Sequence, residues 1–347
     1  MTWRVGVIGL GLMGDVHVRA FQGHPDFEVV AVCDPNPDVL ARIADTQKIR
    51  GQYNAGHELI AGEELDMLTI ATPPRQHAEL VIAGFARGLH VLCEKPTAMS
   101  VGEAEAMAAA ARTAGTVHIL GHQSRFNPVR AHIRDLIGRG YIGTPRHALY
   151  YHFAPGNAAT ACWSWWSRRE EGGGMLGEYA SHQIDLLRWY LGDIVEAEGR
   201  VSTFQRERPD AAGVLRPVTS DDHAEVGLVF ASGCTARIIV SAVSGSRSGP
   251  RLELHGSEGT LLLDADDRLW GLRTQREAEE LTVAETRPSL IGWGKNDTFT
   301  PAFQRLVEAL AVSLPMGRRP DAAADLDDGL VIQHVLDAAR SGRRYHA

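Results

Sequence analysis

Cysteine is scarce: Cys33, Cys93, Cys162 and Cys234 are the only four, and no two share a Cys-x-x-Cys spacing. That pattern offers neither a zinc site nor a disulfide framework, and it suits reduced, partly buried thiols in a cytoplasmic protein. Positive charge is also in deficit. Lys and Arg total 35 against 43 for Asp and Glu, a formal net charge of -8, so no basic footprint for nucleic acid or an anionic membrane exists. Long apolar runs are missing as well. The N-terminal one holds a single Arg4 and is cut by Gly6, Gly9 and Gly11, which matches neither a signal peptide nor a spanning helix, and nothing elsewhere reaches about 18 residues. There is no internal repeat and no low-complexity tail. What remains is a chain of 347 residues, 44% hydrophobic and 22% charged, as expected for a soluble enzyme of about two domains.

The first third carries a nucleotide-binding pattern. Trp3 to Ile8 reads as a strand, followed at once by Gly9-Leu10-Gly11-Leu12-Met13-Gly14 and a helical segment to about Gly23. Glycines there allow a tight turn, close approach of a pyrophosphate and packing of helix on strand, with the helix N-terminus facing the anion. A G-x-G-x-x-G alone is a weak signal. Here a second strand, Glu28 to Cys33, ends at Asp34, twenty residues after Gly14. A carboxylate at that point accepts hydrogen bonds from an adenosine ribose and repels the extra phosphate of NADP, and Pro35-Asn36-Pro37 brings no Arg to hold that phosphate. NAD is therefore the expected cofactor, with NADP second. The competing reading of Asp34 is a surface aspartate that ends a strand.

Alternation continues: helix near 38–46, strand 67–71, helix 76–87, strand 89–93, helix 100–114, strand 117–120. Strand and helix in turn predict a parallel, doubly wound Rossmann sheet over residues 1–123. Ser100 and Glu103 form a capping box. Ligands of such sheets bind at the carboxyl ends of the strands. Those ends carry Ala71-Thr72-Pro73-Pro74 with His77 nearby, Glu94-Lys95-Pro96, and Gly121-His122-Gln123-Ser124-Arg125-Phe126. Lys95, between a strand end and a proline, has a restrained backbone, and its ammonium could orient a substrate hydroxyl and stabilise a forming alkoxide. The bland alternative is a solvent-facing loop lysine. His77 packs over the cofactor or is a satisfied surface histidine, and the two readings weigh alike. His118 and His122 lack a third ligand and read as structural, so no metal site is expected.

Residues 124–347 change character, towards an α+β domain with a large, open-faced, mainly antiparallel sheet. A helix at 129–138 and an aromatic strand, Arg146 to Phe153, precede Trp163-Ser164-Trp165-Trp166. Strands follow at 195–204, 222–230, 234–243, 251–256 and 260–264, with hairpin turns at Ala231-Ser232-Gly233 and Gly256-Ser257-Glu258-Gly259. Stretches 205–217 and 274–296 read as loops, and helices close the chain near 300–313 and 324–340. The open sheet face is a candidate homodimer or homotetramer interface.

Within the second region, Gly172-Gly173-Gly174 opens a predicted helix from Met175 to Leu191, with Gly192 as its stop. At about 100° per residue, Glu178, His182 and Asp185 share one side. A proton acceptor flanked by carboxylates suits acid–base chemistry. Tyr151, His152, Trp163, Trp165 and Trp166 are candidate substrate walls, although core packing explains aromatic residues more often.

With these pieces in order, the chain resembles the glucose-fructose oxidoreductase and inositol dehydrogenase family, Gfo/Idh/MocA. The likeness rests on the Gly9–Gly14 turn, Ala71-Thr72-Pro73-Pro74 with His77, Glu94-Lys95-Pro96, Arg125-Phe126-Asn127-Pro128, the Gly172–Gly192 helix and His255-Gly256-Ser257-Glu258-Gly259-Thr260. It implies a dehydrogenase of sugar or polyol hydroxyls, with Lys95 and His182 as the catalytic pair, and Glu178, one turn from His182, is counted with them as a catalytic candidate. Candidate cofactor contacts, taken together, are Gly9 to Gly14, Asp34, Ala71, Thr72, Pro73, His77, Glu94, Lys95 and Gln123. Substrate contacts would come from Lys95, Arg125, Tyr151, Trp165, Glu178, His182 and Asp185. The family usually has Asp where this chain has Glu178, and often Gly where it has Ala180. One methylene moves a carboxylate by about 1 Å, enough to alter substrate fit. Two further readings stay open: a dinucleotide-binding sensor without turnover, and reduction of a ketone or imine by the same residues.

Overall fold

The computed structural model describes residues 2–155, 162–292, 297 and 299–347, which fall into two compact units. The first comprises residues 1–127 and 286–330 and the second residues 128–285 and 331–347, so the chain re-enters each unit once.

In the first unit six strands, β1 (Trp3–Ile8), β2 (Phe27–Cys33), β3 (Gly51–Tyr53), β4 (Met67–Ile70), β5 (His90–Cys93) and β6 (His118–Leu120), form a parallel sheet. Their order, β3-β2-β1-β4-β5-β6, is the doubly wound one. Because side chains alternate across a strand, each strand feeds two cores. Met67, Leu92 and Ile119 join α1 (Leu12–Gln22) and α2 (Pro37–Gln47) on one face. Leu68, Val91, Cys93 and Leu120 join α3 (Gly56–Gly62), α4 (His77–Ala86) and α5 (Val101–Ala114) on the other. The helix Thr300–Ser313 adds Phe303, Leu306, Val307 and Leu310 to the first of these cores. The start of α5 is the expected box, with Ser100 accepting from Glu103 N–H at 3.3 Å, but the Glu103 carboxylate reaches back to Met99 N–H at 2.9 Å.

In the second unit β7 (Pro145–Phe153) sits in the middle of a nine-stranded sheet. It is antiparallel to the strand Ser248–Gly256 and parallel to the strand Thr235–Ser241, which makes the sheet mixed although mostly antiparallel. The helices α6 (Pro128–Gly138) and α7 (Ser181–Leu191) belong to the same core, where Ile133, Ile184 and Leu187 are buried with Val226, Ile238 and Leu252.

Several local expectations are corrected. The supposed loop 205–217 holds a small hairpin of Glu207–Pro209 with Leu215–Pro217, whose turn is held by the Asp210 carboxylate on Ala212 and Val214 N–H. Strands Leu269–Arg273 and Glu279–Glu280 extend the large sheet beyond 264, the latter inside the supposed loop 274–296. Residues 293–296 of that stretch lie outside the described residues. The short β3 and α3 were also not foreseen, because three and seven residues carry little periodic signal.

Candidate active site

The dinucleotide turn is built from steric necessity. Gly9 has φ +87° and a Cβ there would stand 2.6 Å from Ala71 O, while a Cβ on Gly14 would stand 1.9 Å from Gly9 O. Gly11 differs: a Cβ there meets nothing within 4 Å. As N-cap of α1 it also offers no side-chain hydrogen bond, so the helix start keeps its N–H groups for an anion. Asp34 braces the turn, accepting Leu10 N–H at 2.8 Å on Oδ2 and Asn36 N–H at 2.9 Å on Oδ1. A carboxylate has lone pairs beyond these two, so ribose hydroxyls remain within its capacity. Leu10 is buried, Leu12 is 54% exposed and Met13 is half-buried. At the strand ends Thr72 Oγ1 and Gln123 Oε1 are buried with no hydrogen-bond partner among the described residues. Bare helix N–H groups, an open approach at Gly11 and these polar atoms fit a dinucleotide; Ala71 and Pro73, half-buried, stand beside Thr72.

At the end of β5 alternation sends Glu94 to the α1 side, as it does Leu92. There Glu94, 4% exposed, meets His17 Nε2 at 3.0 Å, and His17 Nδ1 meets Thr69 Oγ1. The other Glu94 oxygen accepts Lys95 N–H at 3.2 Å. Burial pushes the Glu94 carboxyl up, but His17 and then Lys95 more than offset this, so it lies below the usual carboxylate range. Lys95 is half-buried, and its peptide to Pro96 is cis. His77 answers to neither of its two sequence readings alone: it is fully buried, with Nδ1 at 3.0 Å from Pro96 O and Nε2 at 3.0 Å from Thr72 O. It joins the two loops expected to face the cofactor. Burial holds it below the ordinary histidine range, against those carbonyls and Glu94. Arg125, expected at the substrate, is 5% exposed and paired with Asp328 at 3.2 Å.

In the second unit the predicted α-helix from Met175 is corrected in its first turns. Leu176–Ala180 is a π-helix, closed by Ser181 N–H on Leu176 O, and the α-helix begins at Ser181. One residue too many per turn displaces Glu178 from the regular 3.6-residue stripe. Such insertions mark functional sites often. The glycines before it are obligatory: a Cβ on Gly173 would stand 2.2 Å from Trp166 O, and one on Gly174, at φ +121°, 2.5 Å from Asp221 Oδ1. Asp221 then takes Leu176 N–H at 2.7 Å on its other oxygen. Burial pushes the Asp221 carboxyl above the usual range, against Leu176 N–H and Arg340. His182 is 5% exposed, Asp185 is fully buried, and Glu178 is half-buried. The Tyr179 ring stacks on His152 at 5.6 Å, while Tyr151 and Trp165 are half-buried nearby in sequence.

Sequence reasoning passed over His17, Thr69, Asp221 and Asp328. His17 and Asp221 could have been noticed as polar residues inside apolar patterns, three residues after Gly14 and just before strand His223–Phe230. Among the described residues no cluster of His, Cys, Asp and Glu suits a metal, and no helix is long and apolar enough to cross a membrane.

Comparison with known proteins identifies the family. The NAD-binding Rossmann-fold model of the GFO/IDH/MocA oxidoreductase family matches residues 3–122, and the family's C-terminal domain model matches residues 131–262. An uncharacterized oxidoreductase of Synechocystis is 32% identical, covering 98% of this chain and 94% of the relative. Levoglucosan dehydrogenase of Pseudarthrobacter phenanthrenivorans is 28% identical over 76% of this chain and 74% of its own. A solved levoglucosan dehydrogenase in complex with NADH shares the fold, with a TM-score of 0.87 at 22% identity over 100% of this chain and 99% of that one. The chain belongs to the GFO/IDH/MocA family and is an NAD-binding oxidoreductase.

Proposed function

We propose that this oxidoreductase converts a secondary hydroxyl of a sugar, inositol or related polyol to a ketone, or runs the reverse reduction. Bound NAD supplies the hydride acceptor at nicotinamide C4. His182 takes the hydroxyl proton as general base and returns it in reduction, a task suited to an imidazole near neutral pH. Lys95 orients the substrate oxygen and stabilises its developing negative charge. Glu178 and Asp185 hold the His182 tautomer or a neighbouring hydroxyl, and Tyr151 and Trp165 offer aromatic surface to a sugar ring.

The observation that carries this reading is the Lys95 corner: a lysine at a strand's carboxyl end, its main chain held by a buried carboxylate, in a sheet whose first turn suits a dinucleotide. Relatives named for sugar substrates support the substrate class. Self-association as a homodimer or homotetramer through the open face of the large sheet is part of the same reading, and light scattering would read it directly.

The test offers NAD and a panel of sugars and polyols to the purified protein while reduced nicotinamide is followed by absorbance. Turnover lost in both Lys95→Ala and His182→Ala, with NADH binding retained, supports the assignment. Turnover surviving both changes removes the mechanism. Tight NADH binding with no turnover of any compound favours the sensor.

A further inference from the structure

His17 lies outside every contact the proposed reaction uses, yet it is 0% exposed and both its ring nitrogens are engaged. Its ring stacks on Phe303 at 4.2 Å with an interplanar angle of 18°, which fixes its plane. A carboxylate only accepts, so Nε2 carries the proton that goes to Glu94, and the Thr69 hydroxyl serves Nδ1 in either charge state. Gly121 leaves the carboxylate its place, because a Cβ there would stand 2.8 Å from the Glu94 carboxyl carbon.

We propose that His17 is a positioning residue for the reaction: it holds Glu94, Glu94 holds the Lys95 main chain, and the helix opening from the dinucleotide turn is thereby coupled to the substrate-orienting lysine. The inference rests on the reading of Lys95 given above. Its physical content is a chain of two hydrogen bonds, His17 Nε2 to Glu94 Oε1 at 3.0 Å and Lys95 N–H to Glu94 Oε2 at 3.2 Å, anchored on β4 by Thr69. Misplacement of a catalytic group by about 1 Å costs as much as a hundredfold in rate, so a loosened corner is expressed in kcat.

The consequence for pH follows from what faces Glu94. His17 from α1 and Lys95 from its own corner stabilise the carboxylate, His77 from α4 lies near it, and Cys93 precedes it. Without the His17 nitrogens the buried carboxylate keeps its desolvation cost and loses its main partner, so it protonates at higher pH and releases Lys95 there.

Three variants test this: His17→Phe, which keeps a ring to stack on Phe303; His17→Gln, which keeps an N–H donor; and Glu94→Gln. In the NAD-loaded enzyme, His17→Phe should lower kcat by about tenfold or more while KM and the NADH dissociation constant change by less than about threefold. The acid limb of its kcat profile should move to higher pH, and His17→Gln should recover part of the rate. In a Glu94→Gln background, adding His17→Phe should cost less than about twofold. An unchanged kcat profile in His17→Phe, or an equal loss in the Glu94→Gln background, overturns the proposal. If the wild-type protein turns over none of the panel, the functional reading fails, and carbon-13 NMR of glutamate carboxyls decides the His17 link separately. The resonance absent from Glu94→Gln should titrate below the ordinary range in wild type and at clearly higher pH in His17→Phe. Coincident titrations overturn the link, and if His17→Phe fails to fold, His17→Gln is compared in the same way.

Discussion

The Asp221 carboxylate accepts the main-chain N–H of Leu176 at 2.7 Å, inside the protein, at the point where the π-turn bearing Glu178 begins. A residue 45 positions downstream thus caps the segment that leads into His182. Because burial raises the Asp221 pKa above its unfolded value, its protonated form is the one folding favours. The stability it contributes is complete below the unfolded carboxyl pKa, about 4, and is lost as pH rises through the folded value.

Asp221→Asn should therefore flatten that dependence, keeping an oxygen for Leu176 N–H while removing the buried charge. Urea unfolding across pH 4 to 7 should show wild type losing stability relative to Asp221→Asn as pH rises. Asp221→Ala, which strands a buried N–H, should cost about 1–3 kcal/mol at low pH, a cost that shrinks as pH rises, and should lower kcat through the π-turn.

Gly11 and Gly14 should separate folding from cofactor binding. Gly11→Ala introduces a methyl into open space at φ -65°, so its melting temperature should match wild type while NADH affinity falls by about tenfold or more. Gly14→Ala drives a methyl to 1.9 Å from Gly9 O, backbone against helix, and should lose both stability and binding. Calorimetry with and without NADH reads both; equal affinities for wild type and Gly11→Ala would contradict the placement of the pyrophosphate.

The contrast between those glycines shows what could be read from the chain alone. Local patterns were legible: the strand–turn–helix around Gly9–Gly14, the Ser100–Glu103 cap, and the turns at 231–233 and 256–259, each a short-range constraint. Long-range closure was not. His17 meets Glu94 across 77 positions, and the helix Thr300–Ser313 returns to pack on one face of the first sheet, neither of which leaves a periodic mark. The π-turn escaped because one added residue per turn barely disturbs an apolar repeat read at helical spacing. The pairing of Arg125 escaped as well, because its partner, Asp328, is supplied from 203 residues later in the chain.

Arg130 and Asp267 make a two-pronged ion pair, 2.9 Å on each arm, 137 positions apart. Asp267→Asn tolerates the φ of +58° found there but withdraws the charge from a mostly buried guanidinium. It should cost about 2–4 kcal/mol. Arg130→Met, which leaves no unpaired cation and keeps the length of the side chain, should cost less. Denaturant midpoints of the two variants settle the order, and a costlier Arg130→Met would mean that packing of the Arg130 stem, rather than its charge, holds the contact.

Asp34 has two duties that substitutions can divide. Its charge opposes a 2′-phosphate, and its Oδ2 braces Leu10 N–H at 2.8 Å. Asp34→Asn retains an oxygen for the brace and discards the charge, so kcat/KM for NADP should rise relative to NAD by about tenfold, chiefly through KM. Asp34→Ala discards both, so the turn loosens and both cofactors weaken together. Steady-state kinetics with each cofactor distinguishes these patterns. If Asp34→Asn left the NAD to NADP ratio unchanged, the carboxylate would be a brace alone, and cofactor choice would have to come from residues beyond the end of β2.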